Sequence, residues 1–265
     1  MKGRVLVIAG SDPSGGAGVQ ADVKTVTALG GYAATAITAL TVQNTKGVAG
    51  FDPVSPALIR AQIDAVMDDV GADAVKIGMI GDDNAAQAVV EALDAWARAI
   101  PVVIDPVLAA TGGEALARDG VAQTLRAHLV PRATLMTPNI DEAAALTGLE
   151  VCDRETMIAA GRAMVNAGAG AVLATGGHLP GSTIEDILVT DGGVDVFETD
   201  RIETTSTHGT GCTLASACAV GLAQGLPLAQ AVERAVGYVQ EAIRTAPGYG
   251  AGRGPLNHAH TVRTA

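Results

Sequence analysis

The strongest constraint in this sequence is its alternation of short apolar runs with longer stretches of helical periodicity. Val5–Ala9, Tyr32–Ala39, Ala74–Ile77, Val102–Ile104, Thr134–Met136 and Ala171–Ala174 have the length and side chains of buried strands. Between them, Gly18–Leu29, Pro56–Val70, Asn84–Ala97, Gly113–Leu129, Asp141–Thr147 and Arg154–Ala167 are expected to be helical. In the second of these, Leu58, Ile59, Ile63, Val66 and Met67 recur at helix spacing. Repeated strand-then-helix units predict an α/β fold, with a central, mostly parallel sheet and helices on both faces. Ile184–Thr190 and Val194–Glu198 flank Asp191-Gly192-Gly193, which predicts a hairpin. Thr210–Gln224 and Leu228–Ala246 are expected to be two closing helices. No linker or internal repeat interrupts the pattern, so residues 1–265 are expected to form one domain.

Composition narrows the function. Net charge is −11 and aromatics are 2% of the chain, which argues against a phosphate-backbone or base-stacking partner. No stretch approaches ~18 uninterrupted apolar residues, so no membrane span is expected. The N-terminal apolar run breaks early into Gly-Ser-Asp-Pro and reads as a first strand, not a signal peptide. Cys152, Cys212 and Cys218 are odd in number and far apart, which fits free thiols and a cytoplasmic protein.

In open α/β sheets, ligands collect at the carboxyl ends of the strands. The loops there are rich in Gly, Pro and polar residues: Gly10–Gly18, Thr41–Asn44, Lys76–Met79, Asp105–Val107, Thr137–Asn139 and Thr175–His178. Gly15-Gly16-Ala17-Gly18 has neither dinucleotide nor Walker A spacing. It reads equally as a backbone lid over a substrate, with Asp22 a turn further on, or as a plain strand-to-helix turn. Gly209-Thr210-Gly211-Cys212 opens an apolar helix, and its amides can form an anion-binding nest. There the helix dipole is expected to lower the Cys212 thiol pKa, making it a candidate base. Spacing alone favours a structural cysteine after an ordinary glycine turn. Asp105 and Asn139 with Glu142 end neighbouring strands and could order the waters of Mg²⁺, or simply cap turns. His178 and His208 read as hydrogen-bonding loop residues.

Taken together, Ala9-Gly10-Ser11-Asp12-Pro13-Ser14-Gly15-Gly16-Ala17-Gly18, Thr41-Val42-Gln43-Asn44, Lys76-Ile77-Gly78-Met79, Asp105-Pro106-Val107, Thr137-Pro138-Asn139, Gly176-Gly177-His178 and Thr207-His208-Gly209-Thr210-Gly211-Cys212-Thr213 resemble the hydroxymethylpyrimidine and phosphomethylpyrimidine kinases of thiamine biosynthesis, in the ribokinase-like superfamily. The resemblance implies ATP and Mg²⁺, a homodimer, and phosphorylation of 4-amino-5-hydroxymethyl-2-methylpyrimidine and then of its monophosphate. It implies a catalytic group of Gly209, Thr210, Gly211 and Cys212, and substrate contacts at Gly10, Asp22, Val42, Gln43, Met79 and Val107. Asp105, Asn139, Glu142 and Thr175 match the nucleotide side, with Asp105 and Glu142 on the metal through water. Two departures stand out. Thr175 occupies a position where such kinases often carry Lys, and the tail Ala251-Gly252-Arg253-Gly254-Pro255 lacks another. The alternatives are a pyridoxal-type vitamin kinase and a binding-only regulator on the same scaffold.

Overall fold

The computed structural model describes residues 1–262 apart from Thr111, Gly112, Ala115 and Asp119. Among the described residues nine strands form one sheet in the order β3-β2-β1-β4-β5-β6-β7-β8-β9. They are β1 (Arg4–Ser11), β2 (Tyr32–Asn44), β3 (Gly47–Pro53), β4 (Ala74–Ile77), β5 (Val102–Ile104), β6 (Leu135–Met136), β7 (Ala171–Ala174), β8 (Thr183–Thr190) and β9 (Gly193–Asp200). The pairs from β2 through β7 are parallel, while β2/β3, β7/β8 and β8/β9 are antiparallel. The hairpin expected around Asp191 is β8–β9.

The helices are α1 (Gly18–Ala28), α2 (Pro56–Asp69), α3 (Asp83–Trp96), α4 (Val121–Thr124), α5 (Ile140–Thr147), α6 (Arg154–Asn166), α7 (Thr210–Ala223) and α8 (Leu228–Arg244). The helix expected over residues 113–129 falls partly on Ala115 and Asp119, outside the described residues. Of its described residues, Gly113, Glu114, Leu116, Ala117, Arg118 and Gly120 are not helical, because Gly113 and Gly120 take positive φ and interrupt the turn; the helix is confined to α4, which widens into a π-helical turn at Leu125–Leu129.

Alternation along β1 shows how the two faces are filled, because successive side chains point to opposite sides of a sheet. Val5, Val7 and Ala9 join a core with α1, α7 and α8. Leu6 and Ile8 join another with α2, α3 and α6. Strands covered on both sides read as continuous apolar runs, which is why the sequence revealed them.

Strand β3 was not expected. Gly47-Val48-Ala49-Gly50-Phe51-Asp52-Pro53 has little strand character, yet it pairs along the outer end of β2. As an edge strand it has one bonded neighbour and tolerates Gly and Pro. Strand β2 likewise runs past the expected end at Ala39, to Asn44.

Helix starts fall into two kinds. Ser55, Asp82, Asn139 and Asp153 cap α2, α3, α5 and α6 with side-chain oxygens. Helices α1 and α7 begin at Ala17 and Gly209 with no side-chain cap. Both open toward the cavity described next. Among the described residues, no helix is long and apolar enough to cross a membrane.

Candidate active site

A cavity of about 980 Å³ lies at the carboxyl ends of the parallel strands. Two glycine-rich loops from opposite ends of the sequence meet there. The loop after β1 is gathered by Asp12, whose carboxylate accepts from Ser14 N (2.8 Å), Ser14 Oγ (2.9 Å) and Ala17 N (2.9 Å). The same carboxylate meets His208 Nε2 at 2.8 Å, which ties the first loop to Thr207–Cys212. Burial opposes ionisation of Asp12, but the bonds from His208, Ser14 and Ala17 hold it below the usual carboxylate range.

Gly209 makes the junction possible. Its φ of +84° is the left-handed region, and a Cβ there would run into the carbonyl oxygen of Gly16. The next turn begins α7. Among the described residues the amides of Gly211 and Cys212 have no acceptor, leaving two donors at a positive helix end.

Beneath the nest is a network of charges. Lys76 projects from β4 and is fully buried, with Nζ 3.0 Å from Asp22 Oδ1 and 3.9 Å from Asp105 Oδ2. Ser216 Oγ donates to Asp22 Oδ1 at 2.6 Å. Burial disfavours the charged lysine, but Asp22, then Cys212 and Asp105, outweigh it and hold its pKa above the ordinary range. Gly78 leaves the space for this ammonium, since a Cβ there would sit 2.8 Å from Nζ.

The Cys212 thiol behaves differently from the expectation based on the helix dipole. Burial pushes its pKa up; Lys76 counters, while Asp105 and Asp22 push it further up. The Asp105 carboxylate lies close enough that it and the thiol shift each other's ionisation. A helix end carries about half an elementary charge. That is too little against desolvation and two carboxylates, so the thiol is protonated in this state.

Asp105 and Glu142 suit a divalent cation. Burial pushes Asp105 up to about 6, and its Oδ2 is buried with no hydrogen-bond partner. Burial, then the charge of Asp105, pushes Glu142 up to about 8. A cation would relieve both. Among the described residues no cluster of three or more metal-binding side chains exists, so an ion here would need water or phosphate oxygens as well. Asn139 also serves the fold: its Oδ1 accepts from Glu142 N, and Glu142 Oε2 accepts from Asn139 N, both at 2.9 Å.

Gly10, Gln43, Met79, Val107, Asp105, Asn139, Glu142, Thr175, Gly209, Thr210, Gly211 and Cys212 all line the one cavity. Met79 lies against Gly10, where a Cβ would come 2.8 Å from its Sδ. Two expected substrate contacts do not line it. Asp22 is fully buried below the floor, engaged with Lys76 and Ser216. Val42 is 66% exposed because it lies on the projecting end of β2. Conversely, the sequence reading quoted Lys76 within a strand-end motif but gave it no role, which a charged residue inside the apolar run Ala-Val-Lys-Ile could have signalled, and it left out Arg201. The Arg201 guanidinium donates to the carbonyls of Gly177, Leu179 and Gly181 and shapes the loop after β7.

Comparison with known proteins agrees with this fold. The family model for phosphomethylpyrimidine kinase matches residues 12–257. The chain is 47% identical, over 97% of its length, to the thiamine biosynthesis bifunctional protein ThiED of Geobacter sulfurreducens, and spans 52% of that longer protein. It is 44% identical to the hydroxymethylpyrimidine/phosphomethylpyrimidine kinase of Rhizobium meliloti, covering 96% of each chain. A Clostridium difficile phosphomethylpyrimidine kinase superposes with a TM-score of 0.81 at 38% identity, covering 91% of this chain and 100% of its own. An ADP complex of Bacillus subtilis pyridoxal kinase superposes at 0.89 with 33% identity, covering 98% of each. With its ribokinase-like α/β fold, the chain belongs to the phosphomethylpyrimidine kinase family.

Proposed function

We propose that residues 1–265 act as a single kinase domain that phosphorylates 4-amino-5-hydroxymethyl-2-methylpyrimidine, and then its monophosphate, from ATP. The observation that carries this reading is the convergence of Gln43 and Met79 with the amides of Gly211 and Cys212 in one cavity. Gln43 can donate to and accept from a pyrimidine edge, and Met79 supplies an apolar wall. The two amides face charge that develops on the transferring phosphoryl group. The hydroxyl oxygen bonds to the γ-phosphorus as the bond to ADP breaks. The hydroxyl proton goes to Cys212 Sγ while the thiol's own proton passes to Asp105. Mg²⁺, held through water by Asp105 and Glu142, would neutralise phosphate oxygens. Asn139 and Thr175 flank the nucleotide side.

The exposed Leu40 and Val42 on the projecting end of β2 support a homodimer through that extension. A cytoplasmic setting fits three free cysteines.

A coupled ADP-release assay tests the reading. Turnover is expected with the pyrimidine alcohol and its monophosphate, and full activity of Cys212→Ala would remove the thiol from the mechanism. The similarity to pyridoxal kinase favours one second reading, a pyridoxal-type kinase. Higher kcat/KM with pyridoxal than with the pyrimidine alcohol would establish it. The family assignment displaces the binding-only regulator.

A further inference from the structure

The two proposed acceptors differ by one phosphate, and this cavity is poorly suited to receive it. Among the described residues six acidic side chains line it: Asp12, Asp105, Glu114, Asp141, Glu142 and Asp186. ATP arrives with its own divalent cation, whereas an acceptor phosphate of nearly two negative charges does not. The protein must supply the compensation on the acceptor side.

Among the described residues, the Lys and Arg side chains lining the cavity are Lys46, Arg201 and Arg253. The Arg201 guanidinium is committed to three backbone carbonyls beyond β7, on the nucleotide side. Lys46 and Arg253 are exposed, and among the described residues neither side chain has a hydrogen-bond or ion-pair partner.

Their placement is built, not incidental. Thr45 and Lys46 form the two-residue turn between β2 and β3, where Asn44 pairs with Gly47. That turn follows Gln43 directly, on the acceptor side. The glycine-rich tail packs onto it: Arg253 N donates to Thr45 O at 2.7 Å and Gly252 N to Thr45 Oγ1 at 3.3 Å. A Cβ on Gly252 would run into the Thr45 carbonyl and come within 3.0 Å of Lys46 Cα. Residues more than two hundred positions apart are thereby locked together, with one cation on each strand of the junction.

We propose that Lys46 and Arg253 form a clamp for the phosphate of a phosphorylated pyrimidine, and so determine specificity for the monophosphate over the alcohol. The clamp rests on the function proposed above. Two charge-assisted contacts at a half-open rim set the scale at about tenfold or more in discrimination.

The test compares the wild type with Lys46→Ala, Arg253→Ala, the double variant, and the charge-keeping Lys46→Arg and Arg253→Lys. The readout is the ratio of kcat/KM for the monophosphate to that for the alcohol. The ratio is expected to fall about tenfold or more in the double variant and to stay within about threefold in the charge-keeping variants. An unchanged ratio, or a rise in KM for ATP with the ratio intact, would overturn the clamp; the second result would assign the cations to the nucleotide. Calorimetry without nucleotide separates this proposal from the function itself. If the wild type turns over neither pyrimidine, the function falls. A tighter binding of the monophosphate than of the alcohol that the double variant loses would still support the clamp. A wild type with no such preference would refute it.

Discussion

Replacing Lys76 by Met tests the buried charge network most directly. Both Lys76 and Asp22 are fully buried, so solvent screening does not discount their attraction. Removing the ammonium leaves Asp22 with the Ser216 hydroxyl alone and takes the nearest cation from Asp105. Breaking a buried pair from one side costs about 3–5 kcal/mol. For a domain of this size that is roughly a 6–20 °C fall in Tm. The double variant Lys76→Met/Asp22→Asn removes the orphaned charge while an amide oxygen still accepts from Ser216. It is expected to regain at least half of the loss. The pH dependence follows from Asp22, whose folded pKa burial already raises. Without Lys76 it rises further above the unfolded value. The deficit is then fully developed at high pH and shrinks as pH falls and the folded state takes up the proton. Urea unfolding followed by far-ultraviolet circular dichroism at pH 8 and pH 5 measures this. A loss under about 1 kcal/mol for the single variant, or a double variant no more stable than the single, would refute the reasoning.

Gly209→Ala places a Cβ at φ +84° against the Gly16 carbonyl, so the nest must shift. Displacement of this order is expected to lower kcat/KM by about a hundredfold, with a much smaller change in Tm; near-normal kinetics would contradict the close approach. Asp186 and His258 should tilt the stability–pH curve in opposite directions. Burial pushes Asp186 up to about 6 from 3.8, so its contribution is greatest below pH 3.8 and is lost as pH rises through 6. Burial lowers His258 to about 4 from 6.5, so its contribution is present above pH 6.5 and is lost as pH falls through 4. Asp186→Asn is expected to raise stability at pH 7 relative to wild type, and His258→Gln to flatten the acid side; Tm profiles from pH 4 to 8 read both.

Much of the fold was legible because strands covered on both faces are nearly pure apolar runs and α2, α3, α5 and α6 carry Ser, Asp or Asn caps. Strand β3 was hidden because an edge strand owes its conformation to pairing with β2, not to its own residues. The site was legible where chemistry is local, as in Asp12 to Gly18 or Thr207 to Cys212. Lys76 was hidden because its meaning depends on Asp22, 54 positions away, and on Asp105. The direction of the Cys212 pKa failed for the same reason: the helix start is visible in the sequence, but the two carboxylates that oppose it arrive through the fold.

The Asp12–His208 bond spans 196 residues and carries a consequence for how the protein is made. During synthesis β1 and its loop emerge long before the histidine that holds the loop and before helix α7, which covers Val5, Val7 and Ala9. Until then a central face of the sheet stays bare to whatever apolar surface the cell offers. A nascent chain short of residue 207 therefore lacks both the clasp on its first glycine-rich loop and the cover of that face, and such transiently exposed apolar surface is what makes partly folded chains prone to aggregation.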